Sequence, residues 1–203
     1  MSFLRPYSFA DVLPPIKGKG IELRAPEMRD YDAWAALRGQ SRQFLAPWEP
    51  VWPANDLTRP AFRARMRRYA LDARADATYP IFVFREGDGV LLGGLTLGQI
   101  RRGVAQAASL GYWMGAPHAG QGYMTAAVRA ILPFAFDTLH LHRVEAACLP
   151  NNEASIRLLE RVGFTREGYA RNYLCIAGQW RDHLLYAILA SDLPGRGGSA
   201  GAP

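Results

Sequence analysis

Read for the spacing of its apolar residues, the chain switches between the two-residue repeat of strands and the longer repeat of helices. Residues 21–25 predict a first strand and 26–30 a turn, with Asp30 placed to cap a helix that carries Trp34 and Leu37 on its apolar side. The stretch Phe44-Leu45-Ala46-Pro47-Trp48-Glu49-Pro50 resists a regular helix, because each proline constrains its predecessor. An aromatic loop of this kind suits a pocket wall. Residues 59–75 predict a second helix. Residues 79–85 and 90–97 then read as strands around the turn Gly87-Asp88-Gly89, and 107–114 as another. The turn-rich stretch 115–120 leads into helical spacing over 124–139, with Val128, Ile131, Leu132 and Phe136 inward and a kink expected at Pro133. Residues 143–149 return to a strand. Pro150-Asn151-Asn152 starts a helix with Ile156, Leu159 and Val162 inward, and Gly163 stops it as a left-handed cap. Two final strands, around 166–176 and 181–190, are joined by 177–180.

The central order is therefore strand, Gly-rich turn, helix, strand, helix, hairpin. A strand–helix–strand crossover requires two parallel strands in an otherwise antiparallel, twisted sheet. The fold class is α+β, or α/β in loose usage. A chain of 203 residues is long enough to bury a core as one domain, expected over 20–193. Residues 1–19, rich in proline, are expected to form an irregular arm, and the Gly/Ser-rich residues 194–203 a disordered tail.

Composition narrows the setting. The net charge is +6 and only Lys17 and Lys19 are lysines, so arginine supplies nearly all the positive charge. The densest cluster, Arg59, Arg63, Arg65, Arg67 and Arg68, is either a solvated helix face or an attraction for something polyanionic, a nucleotide cofactor or a ribosomal surface. Cys148 and Cys175 lie in apolar runs without Cys-x-x-Cys spacing, which predicts two buried thiols in a reducing compartment and no metal site. Residues 1–15 lack the basic-then-apolar order of a signal peptide, and no run of about 18 apolar residues predicts a membrane span. A cytoplasmic protein without membrane partners is expected.

Candidate chemistry concentrates in Ala119-Gly120-Gln121-Gly122-Tyr123-Met124-Thr125, which joins a strand to a helix N-terminus. Backbone N–H groups there lack partners and sit at the positive end of the helix dipole, and glycines let a bulky anion approach. A phosphate-bearing ligand fits; so does a tight connection with no ligand. The loop is neither a Walker loop nor a Gly-x-Gly-x-x-Gly fingerprint. About 30 residues further on, the stretch 152–164 carries Asn152, Ser155 and Gly163-Phe164 in the pattern Asn-x-x-Ser…Gly-Phe. With Gly111-Tyr112-Trp113-Met114 ahead of the loop, the chain resembles the GCN5-related N-acetyltransferase (GNAT) superfamily over roughly residues 20–190. Within it, His142-Arg143, Glu167-Gly168-Tyr169-Ala170 and above all Gly178-Gln179-Trp180-Arg181-Asp182-His183 are similar to the ribosomal-protein-alanine N-acetyltransferases of RimJ type.

The resemblance implies acetyl-CoA as co-substrate, with its pyrophosphate on the loop 119–125. It implies oxyanion donors from the backbone near Trp113 and Met114, a pantetheine contact from Asn152 and a proton for the departing thiolate from Ser155. Asn152 and Ser155 also read as first-turn residues that satisfy a helix terminus. Several positions depart from the pattern. Ala119 and Met124 replace the family's usual loop-opening and loop-closing residues, which a backbone cradle tolerates. Ala126 stands where a glutamate is common, and Leu159 where many relatives have a proton-donating tyrosine. The base is open among Glu145, Glu49, Asp182 and His183, with Leu174 where some relatives carry a glutamate; Glu145 lies on the strand beside the expected cleft.

Acid–base arithmetic bears on the acceptor. At pH 7.5, baring an α-amine of pKa near ~7.8 costs roughly 0.4 kcal/mol, and baring a lysine near ~10.4 roughly 4 kcal/mol. A site without a dedicated base therefore suits a protein N-terminus, and the resemblance implies a ribosomal protein with Ala or Ser exposed as the acceptor. A small amine such as an antibiotic, polyamine or amino acid is the alternative, and a non-catalytic CoA- or RNA-binding module is a remote one.

Overall fold

The computed structural model describes residues 13–193, and in it eight strands hydrogen-bond into one sheet. These are β1 (Ile16–Gly18), β2 (Ile21–Arg24), β3 (Tyr79–Arg85), β4 (Leu91–Arg101), β5 (Ala107–Met114), β6 (Arg143–Cys148), β7 (Thr165–Ile176) and β8 (Gln179–Leu189). Their order is β1-β2-β3-β4-β5-β6-β8-β7, and every neighbouring pair is antiparallel except β5 with β6. Helices α1 (Tyr31–Gln40), α2 (Arg42–Leu45) and α3 (Arg59–Arg74) intervene between β2 and β3, α4 (Tyr123–Pro133) makes the parallel crossover, and α5 (Glu153–Val162) follows β6.

β3 shows how the sheet is covered twice. Alternate side chains of a strand face opposite sides. Ile81 and Val83 enter a core with Val128 and Ile131 of α4 and Leu159 of α5, whereas Phe82 and Phe84 pack with Trp34 and Leu37 of α1 and Phe62 of α3. A strand buried on both faces needs an unbroken apolar run. That is what Tyr79–Arg85 supplies, at about 1.5–3 kcal/mol for each large side chain fully buried.

Four local features differ from expectation. The arm is not irregular throughout: Ile16–Gly18 pairs with Ile21–Leu23 across a turn at Gly20, whose φ is 71°, and Leu13 is buried in the core. A three-residue strand is too short to show a period. The tail 194–203 and residues 1–12 of the arm lie outside the described residues. In the proline-rich loop, Phe44 and Leu45 close the short helix α2, and Ala46–Trp48 make a 3-10 turn in which Pro47 sits where no N–H is needed. Beyond Pro133 the helix continues as a π turn, Phe134–Thr138, closed by the Leu139 amide on the Phe134 carbonyl.

Cys148 is buried as expected, but Cys175 is exposed. It lies opposite Trp180 on the outermost strand, and both of these side chains are left in solvent. The Gln-Trp-Arg-Asp-His string starts β8 and shapes that hairpin. The Asp182 carboxylate accepts hydrogen bonds from Tyr169 Oη and from the Asn172 amide at the bulge, and the buried His183 ring meets Tyr173 edge-on with centroids 5.8 Å apart.

Candidate active site

The two parallel strands part company. β5 and β6 are in register only from Ala107↔Arg143 to Ser109↔Glu145, after which β5 runs on to Met114 while β6 stays paired with β8 up to Cys148↔Leu184. Past Ser109, the edge of β5 that faces β6 has no strand partner, and every second N–H of residues 110–114 points into the gap. Both flanking helices begin at this carboxyl end: α4 after the turn that leaves β5, and α5 just past β6. An opening between parallel strands, headed by two helix N-termini, is where an α/β sheet accepts an anionic ligand.

The loop 119–125 has the backbone an anion requires. Gly120 and Gly122 have φ of 76° and 83°, the left-handed region, and a Cβ at either would meet nothing within 4 Å. Gly122 is the N-cap of α4 and gives no side-chain cap bond, so the leading N–H groups of Tyr123, Met124 and Thr125 are left for an external acceptor. Gln121 steadies the loop by donating to the Pro117 carbonyl at 3.0 Å, and Ala119 adopts an extended conformation at its start. The Met124 side chain is buried in the core, so this position offers its amide alone.

Across the gap, two hydroxyls meet. Tyr112 Oη of β5 lies 2.5 Å from Ser155 Oγ in the first turn of α5. Ser155 is 8% exposed, and its amide donates to Asn152 Oδ1 at 3.1 Å, so Asn152 is the N-cap of α5. Burial raises the Tyr112 phenol above its usual range, with the Ser155 bond opposing, so it stays protonated at neutral pH. The neighbouring Cys148 thiol is pushed up to about 11 by burial, so little thiolate forms there. Leu159 is fully buried in the core and contributes no proton. Sequence reasoning named Ser155 but missed Tyr112 as its partner, since 43 positions separate the two.

On the opposite face of β5, a cavity of about 380 Å³ opens beneath the proline-rich loop, walled by Glu49, Val51, Trp52, Tyr69 and Trp113 among others. Gly111 and Tyr112 also line it, so Tyr112 borders both the cavity and the gap. The loop is fastened by Arg38. Its guanidinium donates to both oxygens of Glu49 at 2.7 and 2.8 Å, and lies 4.0 Å from the Trp52 ring centroid and 4.9 Å from that of Trp113. Trp52 Nε1 donates to the same carboxylate at 2.7 Å. A bidentate, stacked arginine is a rigid clamp. Close approach of β4 to β5 underpins this wall: a Cβ at Gly94 would stand 2.7 Å from Trp113 Nε1.

The candidate bases are accounted for one by one. Glu49 is held as described, and Asp56, also in the cavity wall, pairs with Arg65. Glu145 accepts from Arg143 at 2.9 Å and from Arg101; burial works against ionisation, but these two guanidiniums prevail and hold its carboxyl below the usual range. A carboxylate stabilised in this way is a weak proton acceptor near neutrality. Asp182 is likewise held low by Tyr169 and the Asn172 amide, and His183 Nδ1 lies 2.9 Å from the Arg181 carbonyl. Among the described residues, no group of three or more His, Cys, Asp or Glu is arranged to hold a metal, and no helix is long and apolar enough to cross a membrane.

Comparison with known proteins gives a concordant answer. The family described as Acetyltransferase (GNAT) domain matches residues 21–165. The chain is 37% identical over 177 residues to the probable N-acetyltransferase YjcK of Bacillus subtilis, covering 87% of this chain and 98% of that protein. It is 36% identical over 172 residues to the [ribosomal protein uS5]-alanine N-acetyltransferase of Escherichia coli, covering 83% and 89%. Its fold superposes on Mycobacterium smegmatis RimJ in complex with CoA-disulfide with a TM-score of 0.83 at 34% identity, covering 89% of this chain and 88% of that one. The parted strands, the bare helix start and the paired hydroxyls thus belong to a GNAT-family N-acetyltransferase of RimJ type.

Proposed function

We propose that the chain moves the acetyl group of acetyl-CoA to the N-terminal α-amine of a protein, with a ribosomal protein as the acceptor. One observation carries the choice of amine: the carboxylates of the cavity wall, Glu49 and Asp56, and Glu145 on the neighbouring strand are each already paired with arginine. An α-amine is substantially neutral near pH 7.5 and needs only water to take its proton, whereas a lysine needs a base that these side chains are poorly placed to supply. The names of similar proteins, an alanine N-acetyltransferase of ribosomal protein uS5 among them, support the same acceptor.

In this reading acetyl-CoA lies in the gap between β5 and β6. Its pyrophosphate accepts hydrogen bonds from the amides of 119–125, and Asn152 is adjacent to the pantetheine arm. The acceptor enters from the cavity. The free amide of Met114 stabilises the oxyanion that forms when the amine attacks the thioester carbonyl, whereas the Trp113 amide is turned to β4 like that of Gly115. Ser155 then gives its proton to the departing sulfur. The arginines exposed along α3, Arg59, Arg63, Arg67 and Arg68, suit the polyanionic surface of a ribosomal particle in the cytoplasm.

The test is the pH profile of kcat/KM with a peptide bearing N-terminal alanine. Only the neutral amine attacks, so the rate rises tenfold per pH unit below the amine pKa and levels off near ~7.7–8.0. The same peptide with a blocked N-terminus and an internal lysine is expected to be inert. Turnover confined to lysine peptides, or to a small amine such as a polyamine, would reassign the acceptor.

A further inference from the structure

We propose that Tyr112 is the second half of a two-hydroxyl proton relay, linking the acceptor cavity to the sulfur side of the site through Ser155. The proposal rests on the reading of Ser155 as proton donor and adds the group that orients and reloads it. Three observations converge. The Tyr112 Oη to Ser155 Oγ distance is 2.5 Å, and the pair joins β5 to α5 at the point where the parallel strands separate. Tyr112 is also among the residues that line the cavity, between Gly111 and Trp113, so one residue borders the space of the amine and its hydroxyl contacts the serine on the thiolate side. Finally, the Ser155 hydroxyl sits in the first turn of α5 with the Tyr112 phenol and the Cys148 thiol as its side-chain neighbours, and Cys148 stays a neutral thiol, which leaves Tyr112 as the hydroxyl that can exchange a proton with it.

Two hydroxyls at this separation share a single proton between them, so when the phenol donates, the serine proton is free to point elsewhere. Tyr112 thereby fixes the Ser155 rotor with its hydrogen aimed into the gap. The transfer balances as follows. The amine nitrogen forms a bond to the acetyl carbon, and the carbon–sulfur bond breaks with its electron pair going to sulfur. The Ser155 proton passes to that sulfur, the Tyr112 proton passes to Ser155 Oγ, and the proton leaving the nitrogen on the cavity side restores Tyr112. Net, one proton moves from amine to thiol and no outside reagent is consumed. Cys148 and Tyr186, both neutral when protonated, are the titratable neighbours that face Tyr112. Neither of these two groups carries a positive charge that would stabilise a phenolate, so the hand-overs are concerted.

The test compares Tyr112→Phe, Ser155→Ala and the double variant by release of CoA thiol. Tyr112→Phe is expected to lower kcat by roughly 10- to 30-fold, within the span of positioned acid catalysis, with KM for acetyl-CoA changed less than about threefold. Because the two hydroxyls act as a unit, the double variant should be no more than about twofold slower than Ser155→Ala alone. Losses that multiply, or a Tyr112→Phe enzyme with unchanged kcat, would overturn the relay while leaving Ser155 in place; full activity in Ser155→Ala would remove both. Replacing Tyr112 by 3-fluorotyrosine, which keeps the shape and lowers the phenol pKa, guards against a folding defect. The relay requires a changed kcat there, and a purely packing role predicts none.

Discussion

Aspartate at position 122 is expected to raise the dissociation constant for CoA by roughly 100-fold in a protein that still folds. The expectation comes from two independent properties of the site. The Gly122 φ of 83° is left-handed, a conformation that costs other residues about 1–2 kcal/mol but that Asn and Asp tolerate best, and no atom lies within 4 Å of a Cβ built there. Folding is therefore lightly taxed, a melting shift of about 2–8 °C for a chain of this size. A carboxylate about 5 Å from a phosphate, at an effective dielectric near 20, costs about 3 kcal/mol, or roughly 100-fold in affinity. Gly122→Asn, equally shaped and uncharged, isolates the charge and should lose less than about tenfold. Isothermal titration with CoA separates the two variants. Equal affinities for Asp and Asn would place the pyrophosphate somewhere else.

Ser155→Ala carries the second large effect. Positioned general acids contribute about 10²–10⁴ in rate, so loss of this hydroxyl is expected to lower kcat about 100-fold while KM for acetyl-CoA changes less than about threefold. The variant also leaves the Tyr112 hydroxyl buried without its partner, which costs about 1–3 kcal/mol of stability. The melting temperature should fall by several degrees, and more than in Tyr112→Phe combined with Ser155→Ala, where neither polar group remains. Steady-state thiol release and thermal melting check the two halves. A raised KM with kcat unchanged would make Ser155 a binding residue only.

These expectations could be framed early because the part of the site built from consecutive residues is legible in the sequence. Gly120 and Gly122 announce a left-handed turn, and Asn152 with Ser155 announces a capped helix start; both local geometries are as read. β3 and β5 were legible to the residue, since apolar runs bounded by turn residues leave few alternatives. What escaped depends on contacts between distant segments. β1 exists only by pairing with β2, and Cys175 is exposed because β7 is outermost in the sheet, an order that local spacing does not encode. The Arg38 clamp on Glu49 and Trp52, and the Tyr112–Ser155 contact, join residues 11 to 43 positions apart. The Gln-Trp-Arg-Asp-His string is the converse case. It points to the family, and in the structure Asp182 and His183 are engaged in the bulged hairpin, with Asn172 and Tyr173.

The central claim is that the gap between β5 and β6 holds acetyl-CoA with its diphosphate on the start of α4 and its sulfur beside the paired hydroxyls. A crystal structure of the full chain with CoA tests it most directly. The account predicts phosphate oxygens within about 3 Å of amide nitrogens in 120–125, and the CoA sulfur within hydrogen-bonding reach of Ser155 Oγ. CoA bound elsewhere, or with its sulfur turned away from Ser155 and Tyr112, would contradict it.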